Sequence, residues 1–569
     1  MEKTNDIKVL RHSAAHLLAH ALIELFPDTQ LTLGPATEEG FFYDVLPARN
    51  FKEDDLVLIE ERMRQIVARN LPLEHADVSK HSARELYKNN PFKLELIDNI
   101  PGDTVGLAVQ GDFKDLCRGG HVASTGDIQH FKLLGISGSY WRADKKNQAL
   151  QRIHGTAFFT QKDLEDADLR REELLKYDHR KIGKQLDMFS FHEEGVGFPF
   201  FHPKGKLVIN TLITYMRKLH VEYNYQEVST PTMLSDELWR RSGHYAHYKE
   251  NMYFTCVDDQ SYAIKPMNCP GSILIYRNRP RSYRELPLKL AEFGHVHRHE
   301  LSGVLHGLLR VRAFTQDDAH IYCTLDQIEQ EIKSIMDIAF RVLKKCEFTD
   351  IKLAISTKPE KAIGSEETWQ KATDSLKNAL DSLGHVYTIA EGDGAFYGPK
   401  IEIMIKDSMG RQWTCGTAQV DFFQSENFDL SYVSSAGVHE RPVIIHQAIY
   451  GSLERFFAIL LEHYKGHLPF WVAPVQARVL TITDAQKPYA EEIVAKLKEH
   501  GLRVEMDKSS DPISAKIKDA QIDKIPWMLV LGQKEVTQNT VTLRLNDGTQ
   551  QFGVQLDDLI IKAQLLNAL

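Results

Sequence analysis

Two hydrophobic periods alternate along the chain. From 290 to 300, LAEFGHVHRHE, apolar and polar side chains exchange at short period, and LLRVRAFTQDDAH (308 to 320) resumes the alternation after the Gly- and Ser-bearing stretch LSGVLHG. Short-period alternation belongs to strands, so 289–320 predicts a strand, a loop and a returning strand, with Arg298, Arg310 and Arg312 on or beside the loop. Elsewhere the period is helical. RHSAAHLLAHAL (11 to 22) places His12, His16 and His20 at i, i+4 and i+8, on one helix face. QKDLEDADLRREELLKYDHR (161 to 180) is built of helix formers with interleaved acids and bases and predicts a solvent-facing connecting helix. KLVINTLITYMRKLHVEYNYQEVSTPTML (206 to 234) predicts a long amphipathic helix and then a strand ending at Pro231. GDGAFYGPKIEIMIKDSMGRQWTCGTAQVDF (392 to 422) predicts a Gly-rich turn and a long antiparallel hairpin. The last hundred residues follow a β-α-β-α-β rhythm from QARVLTIT to WMLVLG, and VTLRLNDGTQQFGV adds a hairpin around Asn-Asp-Gly.

Composition narrows the class. At 569 residues the chain should hold several domains of about 100–200 residues each. A net charge of −9 supplies no global basic field, so any RNA contact must come from local basic surfaces. The start MEKTNDIKVLRHSAAH has no signal-peptide core, and no apolar run approaches spanning length, so a cytoplasmic protein without membrane attachment is expected. Cys117, Cys256, Cys269, Cys323, Cys346 and Cys415 are scattered with no Cys-x-x-Cys pair, which predicts thiols or ligands rather than disulfides.

One group of residues carries candidate metal chemistry, and three further residues of metal-binding type stand too far apart in sequence for spacing to group them. His-x-x-x-His at His12 and His16, with Asp115, Cys117 and His121 around the Gly-Gly turn of DFKDLCRGGHV, offers soft and borderline ligands, which suggests a zinc site. Cys269 in KPMNCPG, His320 in QDDAHIY and His446 in VIIHQAIYGS lie 51 and then 126 residues apart, so no local finger spacing links them.

The pattern F-x-x-x-x-R-x-E, a loop, then R-x-x-x-F resembles motif 2 of the class II aminoacyl-tRNA synthetases, and TQDDAHIYC narrows the resemblance to the threonyl family. The resemblance covers the whole chain. It implies a multidomain α/β and α+β protein: an N-terminal editing domain at about 1–160, the connecting helix at 161–180, a class II antiparallel-sheet catalytic core at 181–470 and a C-terminal α/β anticodon-binding domain at 471–569. The small domain that usually precedes the editing domain is missing, so a short form is expected. The implied activity is threonine–tRNA ligation: ATP-dependent formation of threonyl-adenylate, transfer to the 3′ end of tRNA(Thr), and hydrolysis of mischarged seryl-tRNA(Thr).

In that family Cys269, His320 and His446 would hold one Zn²⁺, leaving a fourth tetrahedral position open. The substrate explains the ion. Threonine and valine are isosteres, and a site that binds the hydroxyl rejects its lack by roughly 10⁴-fold, whereas an apolar pocket does not. Asp318 shares the face of His320 by alternation and is placed to accept a hydrogen bond from the hydroxyl. Serine keeps that hydroxyl and lacks one methyl, worth only about 1–3 kcal/mol, so a second, hydrolytic site is required. The resemblance assigns that site to His12, His16, Asp115, Cys117 and His121, with the question of a metal there left open.

Further roles follow from the same resemblance. Arg298 would bind the α-phosphate and substrate carboxylate, Glu300 the adenine edge, and Arg310 the outer phosphate, with Phe314 beneath adenine and Gln316 in the same run. Arg455 in YGSLERFFAILLEHY looks like the motif 3 arginine, and Tyr397, Lys400, Thr417 and Gln419 would wall the substrate pocket. His244 in SGHY is a candidate participant in transfer or a structural turn residue. Mg²⁺ would accompany ATP, 206–234 resembles the homodimer-forming motif 1, and Lys518, Glu535 and Arg544 stand where the family meets anticodon bases. The rival reading is a non-catalytic, synthetase-like RNA-binding or regulatory protein, which would be expected to lose Arg298, Arg455 or a metal ligand.

Overall fold

The computed structural model describes residues 6–143, 147–360, 362–407 and 410–568, and the chain divides into two compact units, Met1–Glu173 and Leu174–Leu569. In the first, the helix Ile7–Leu25 starts where the Asp6 side chain accepts the Lys8 N–H at 2.8 Å. It is buried nearly all round from Leu10 to Leu22, its polar side chains Arg11, Ser13, His16 and His20 included. It packs with the helix Glu53–Ala68 against an antiparallel four-stranded sheet, and a separate three-stranded sheet carries the 104–116 hairpin. The connecting helix is shorter than its pattern predicts, Gln161–Lys176. The Asp178 side chain caps a new helix from His179, and His179 itself is wholly buried in the second unit.

The second unit is organised on an eight-stranded sheet. Its strands are β1 (Gln226–Glu227), β2 (Leu288–His297), β3 (Ala313–Cys323), β4 (Ile351–Ser356), β5 (Tyr387–Ala390), β6 (Lys400–Lys406), β7 (Gln412–Asp421) and β8 (Val443–Ser452). Their order is β1-β2-β3-β8-β7-β6-β4-β5, antiparallel except at β1/β2 and β4/β5. The pleat sorts the side chains. Ala319 and Ile321 of β3, Ile445 and Ile449 of β8, Ala418 and Val420 of β7 and Ile401 and Ile403 of β6 join the main core with the helices Pro203–Glu222, Ile328–Lys345 and Leu453–His463. Asp318, His320, His446, Thr417, Gln419 and Lys400 alternate with them and belong to the opposite face.

The returning strand is confirmed with changed limits. β2 stops at His297 and β3 starts at Ala313, and between them lie two short 3-10 turns, Ser302–Val304 and Gly307–Leu309. The strand expected to end at Pro231 is only two residues long. Beyond it the Thr230 N–H is taken by the Glu292 side chain at 2.8 Å instead of a backbone carbonyl, and Pro231 has no N–H to continue a ladder. The 392–422 and 541–554 hairpins form as their patterns predict. The C-terminal sheet has three parallel strands, Val504–Met506, Ala477–Thr481 and Trp527–Leu531, followed by that antiparallel hairpin.

Candidate active site

Register builds the site. His320 of β3 lies directly across from His446 of β8, His446 from Gln419 of β7, and Gln419 from Lys400 of β6, so four strands present one continuous row. Asp318 and Thr417 flank Ala448 in the next row. Cys269 arrives from elsewhere, at the start of α1 (Cys269–Arg277), and its thiol and the two imidazoles put one ligand atom each within 4.8 Å of one another.

The donor set fits a soft or borderline divalent cation. His320 is 2 % exposed and its buried Nε2 has no hydrogen-bond partner, while burial pushes its pKa well below the usual imidazole range, so it presents a neutral lone pair. His446 Nε2 lies 2.8 Å from Asp421 Oδ2; donation there leaves Nδ1 as the lone-pair nitrogen, the arrangement that orients metal-binding imidazoles. Burial, then the carboxylates of Asp318 and Asp421, pushes the Cys269 thiol well above its ordinary pKa. Among the described residues, the side-chain hydrogen-bond contact of that sulfur is with His244 Nε2 at 3.9 Å. Asp318 accepts from Asn268 at 3.1 Å and stands 4.0 Å from His320 Nε2, and burial raises its pKa to about 6. Tyr397 donates to Gln419 at 2.6 Å and its ring centroid lies 5.6 Å from that of His446, closing the wall.

Next to this row the β2–β3 loop gathers arginines. The Arg298 guanidinium sits 5.0 Å from the Phe314 ring centroid, leaving the other side of Phe314 to a different planar group. Arg310 is paired with Glu300 at 2.9 Å. Arg455 lies near the start of α2 (Leu453–His463), where Ser452 caps its N–H and Leu309 O accepts from its Nε at 3.1 Å. Burial, with Arg298 and Arg310 nearby, lowers the pKa of Arg455. Such crowding of guanidinium groups around one carboxylate favours a polyanionic ligand. Gln316 lies beside a register shift in the β3–β8 pairing, opposite Ser452. His244 is buried, 2.7 Å from Ser242 Oγ through Nδ1.

The first unit brings together its own predicted residues. Cys117 Sγ lies 3.0 Å from His12 Nε2 and 3.1 Å from His121 Nε2, and His16 Nδ1 is 2.9 Å from Asp115 Oδ2. Burial opposes the charge on Cys117, but the hydrogen bonds with His12 and His121 and the nearby charge of His16 outweigh it and bring the thiol down to about 3. His16, disfavoured as a cation by burial, is carried up to about 9 by Asp115 and Cys117. His20, the third histidine of the face, turns instead to Gln110 and stacks on Phe113.

Several neighbours escaped the sequence reading. Asp421 is two residues past Gln419 on the same strand face, a signal that alternation carries. Asp317 receives the N–H groups of Ile449, Tyr450 and Gly451, and buried Glu454 receives that of Thr315. Lys93, 1 % exposed, contacts Asp115 and the Tyr43 hydroxyl; a lysine in FKLELI gives no sign of burial. In the C-terminal sheet region Lys518 is exposed, Arg544 is half-buried, and the Glu535 carboxylate is engaged by Gly532 N and Thr542 Oγ1.

Comparison with known proteins agrees with this layout. Residues 254–464 match the tRNA synthetase class II core domain (G, H, P, S and T), 472–564 an anticodon binding domain, and 105–154 the threonyl and alanyl tRNA synthetase second additional domain. The chain is 50% identical over 558 residues to a threonine–tRNA ligase of Clostridium kluyveri, covering 98% of this chain and 87% of that one. It is 51% identical over 559 residues to that of Carboxydothermus hydrogenoformans, covering 97% and 88%. Among solved structures, the RNA binding domain of threonyl-tRNA synthetase from Cryptosporidium parvum superposes with a TM-score of 0.66 at 42% identity, covering 68% of this chain and 98% of that one.

Proposed function

The chain belongs to the threonine–tRNA ligase family, and from that membership we propose that its Leu174–Leu569 unit activates threonine with ATP and transfers it to tRNA(Thr), while its Met1–Glu173 unit hydrolyses seryl-tRNA(Thr). The observation that carries the reading is the convergence of Cys269, His320 and His446 beside the arginines of the β2–β3 loop.

Cys269, His320 and His446 would hold a zinc ion, which when bound supplies the Lewis acidity that separates a hydroxyl-bearing amino acid from its methyl isostere. Asp318 accepts a hydrogen bond from the threonine hydroxyl, and Tyr397, Thr417, Gln419 and Lys400 wall the pocket. Arg298 neutralises the substrate carboxylate and the α-phosphate as they are pressed together, Arg310 binds the outer phosphate, and Arg455 covers the side of adenine opposite Phe314 and helps to hold phosphate and purine; catalysis here is mostly positioning and charge neutralisation. Phe314, already under Arg298 on one side, stacks the adenine, Glu300 reads its edge, and Gln316 lines the same wall. Mg²⁺ accompanies the nucleotide. His244 moves a proton during transfer from its place beside Cys269.

In the first unit the Cys117 thiolate and the imidazoles of His12, His16 and His121 hold water against the seryl ester, with Asp115 fixing His16. Lys518, Glu535 and Arg544 contact the anticodon, and two chains pair through 206–234. No helix among the described residues is long and apolar enough to cross a membrane; action in the cytoplasm belongs to the same proposal. Threonine-dependent ATP–pyrophosphate exchange tests the central claim. Exchange with threonine, some with serine and none above background with valine is expected; no exchange with any of the three would refute it in favour of a non-catalytic relative.

A further inference from the structure

Among the described residues, one group of metal-type side chains lies outside the sites above: Asp178, His179 and Glu462, with ligand atoms within 4.8 Å of one another. Its chemistry is not that of a cation site. Both nitrogens of His179 are committed. Nδ1 lies 2.7 Å from Glu462 Oε1, and Nε2 lies 3.0 Å from the backbone N of Leu308. A backbone N–H can only donate, so Nε2 carries the lone pair and Nδ1 the proton that Glu462 accepts. The second carboxylate oxygen of Glu462 is taken by Arg411, whose Nε is held by Asp407 at 2.8 Å. A metal ion would have to displace Arg411 and the Leu308 N–H.

The network joins four segments far apart in sequence. His179 opens the helix His179–Gln185, Glu462 lies in the last turn of α2, Arg411 sits at the turn between β6 and β7, and Leu308 lies in the β2–β3 loop. His179 is 0 % exposed and Glu462 3 %, so each bond is made away from water, where leaving a donor unmet is costly. The loop is shaped to receive the ring. Gly307 has φ +49°, and a Cβ there would stand 2.2 Å from His179 Nε2, so no other residue fits. The next carbonyl, Leu309 O, accepts from Arg455 Nε at 3.1 Å, and the residue after it is Arg310.

We propose that His179 is a positioning residue for nucleotide binding: its Nε2 anchors Leu308, and through that anchor sets Leu309 against Arg455 and places Arg310 at the outer phosphates. The proposal rests on the reading above that this loop binds ATP. It separates the two halves of the imidazole. Asparagine reproduces the Nδ1 donor to Glu462 but offers nothing to Leu308, whereas glutamine places an acceptor near the Nε2 position.

The test is ATP–pyrophosphate exchange by the full chain and by its His179→Asn and His179→Gln variants, with KM taken separately for ATP and threonine. His179→Asn should raise KM for ATP about five- to tenfold, the size of one lost buried hydrogen bond, with KM for threonine changed less than about twofold. His179→Gln should return KM for ATP to within about threefold of the parent. Unchanged ATP affinity in both variants, equal rises for both substrates, or recovery by asparagine and not by glutamine would overturn the proposal. Amide exchange in the parent gives a second reading that needs no variant to fold. The Leu308 N–H should be strongly protected, and rapid exchange there would overturn the anchor. If the parent shows no threonine-dependent exchange, the functional reading fails, and Leu308 protection still decides whether the anchor exists.

Discussion

Lys93→Met is the sharpest test of how the first unit is held. The side chain is 1 % exposed and its ammonium contacts a carboxylate, Asp115, that is itself 1 % exposed. Asp115 also accepts from Tyr43 OH at 2.6 Å and faces His16 Nδ1 at 2.9 Å. Burial alone would raise the pKa of that carboxyl, but Lys93 and His16 outweigh it and hold it well below the usual carboxylate range. A depressed folded pKa means stabilisation that is present above the ordinary carboxylate pKa and lost as pH falls through the folded value, so the measurement belongs at neutral pH. Methionine keeps the stem and removes the charge. Breaking a buried pair from one side costs about 3–5 kcal/mol, because the partner charge is left behind. For a unit of this size that is a drop of roughly 10 °C in its transition. Calorimetry of the full chain gives the shift, and amide exchange of peptides from 80–120 assigns it to the first unit, since two units need not unfold together. Lys93→Met/Asp115→Asn removes both charges and should regain more than half of the loss. A single-variant cost under about 1 kcal/mol, or no recovery in the double variant, would refute the buried-pair argument.

Further outcomes follow from the same geometry. Arg298→Lys keeps the charge but loses the planar fork over Phe314; kcat/KM for ATP in pyrophosphate exchange should fall about 100-fold, and a fall under threefold would remove Arg298 from phosphate binding. With its thiol at about 3, Cys117 is ionised throughout pH 5–8, so its alkylation rate, followed by peptide mass spectrometry, should be flat over that range; a tenfold rise per pH unit would show an ordinary thiol. Asp317→Asn sets an amide N–H₂ against at least one of the three backbone donors of 449–451, and should lower the stability of the second unit by about 2–4 kcal/mol in urea unfolding. A cost within experimental error would mean that turn holds itself.

How much of this was legible in the sequence depends on the range of the interaction. Strand pleats are local, so alternation alone put Asp318 on the face of His320, and the i, i+4 spacing put His12 and His16 together. Register is set by pairing between distant segments, and no local pattern says that His320 would face His446 or that Gln419 would stand next in the row. The resemblance supplied those groupings. What escaped it was the supporting shell. Lys93 and Asp317 are polar side chains whose burial depends on a partner contributed from elsewhere, and in sequence each reads as surface. His179 escaped for the opposite reason, because its charged neighbours made 161–180 look like one solvated helix that ends, in fact, at Lys176.

Two clusters of cysteine and histidine nonetheless differ in what their surroundings require. Around Cys269 burial and two carboxylates, Asp318 and Asp421, all oppose a thiolate, and burial keeps His320 neutral, so that sulfur ionises at neutral pH only if a cation is brought to it. Around Cys117 burial opposes ionisation as well, but His12 and His121 are hydrogen-bonded to the sulfur, and the positive charge of His16, kept protonated by Asp115 and Cys117, adds to them. There the protein supplies the positive charge itself, and an added ion would have to compete with protons already bound. The expected zinc content is therefore one per chain rather than two. Cys269→Ala should abolish it, and Cys117→Ala should leave it unchanged in elemental analysis of the purified protein. A stoichiometry of two, or a loss of metal on replacing Cys117, would show that charge balance is the wrong criterion for telling these clusters apart.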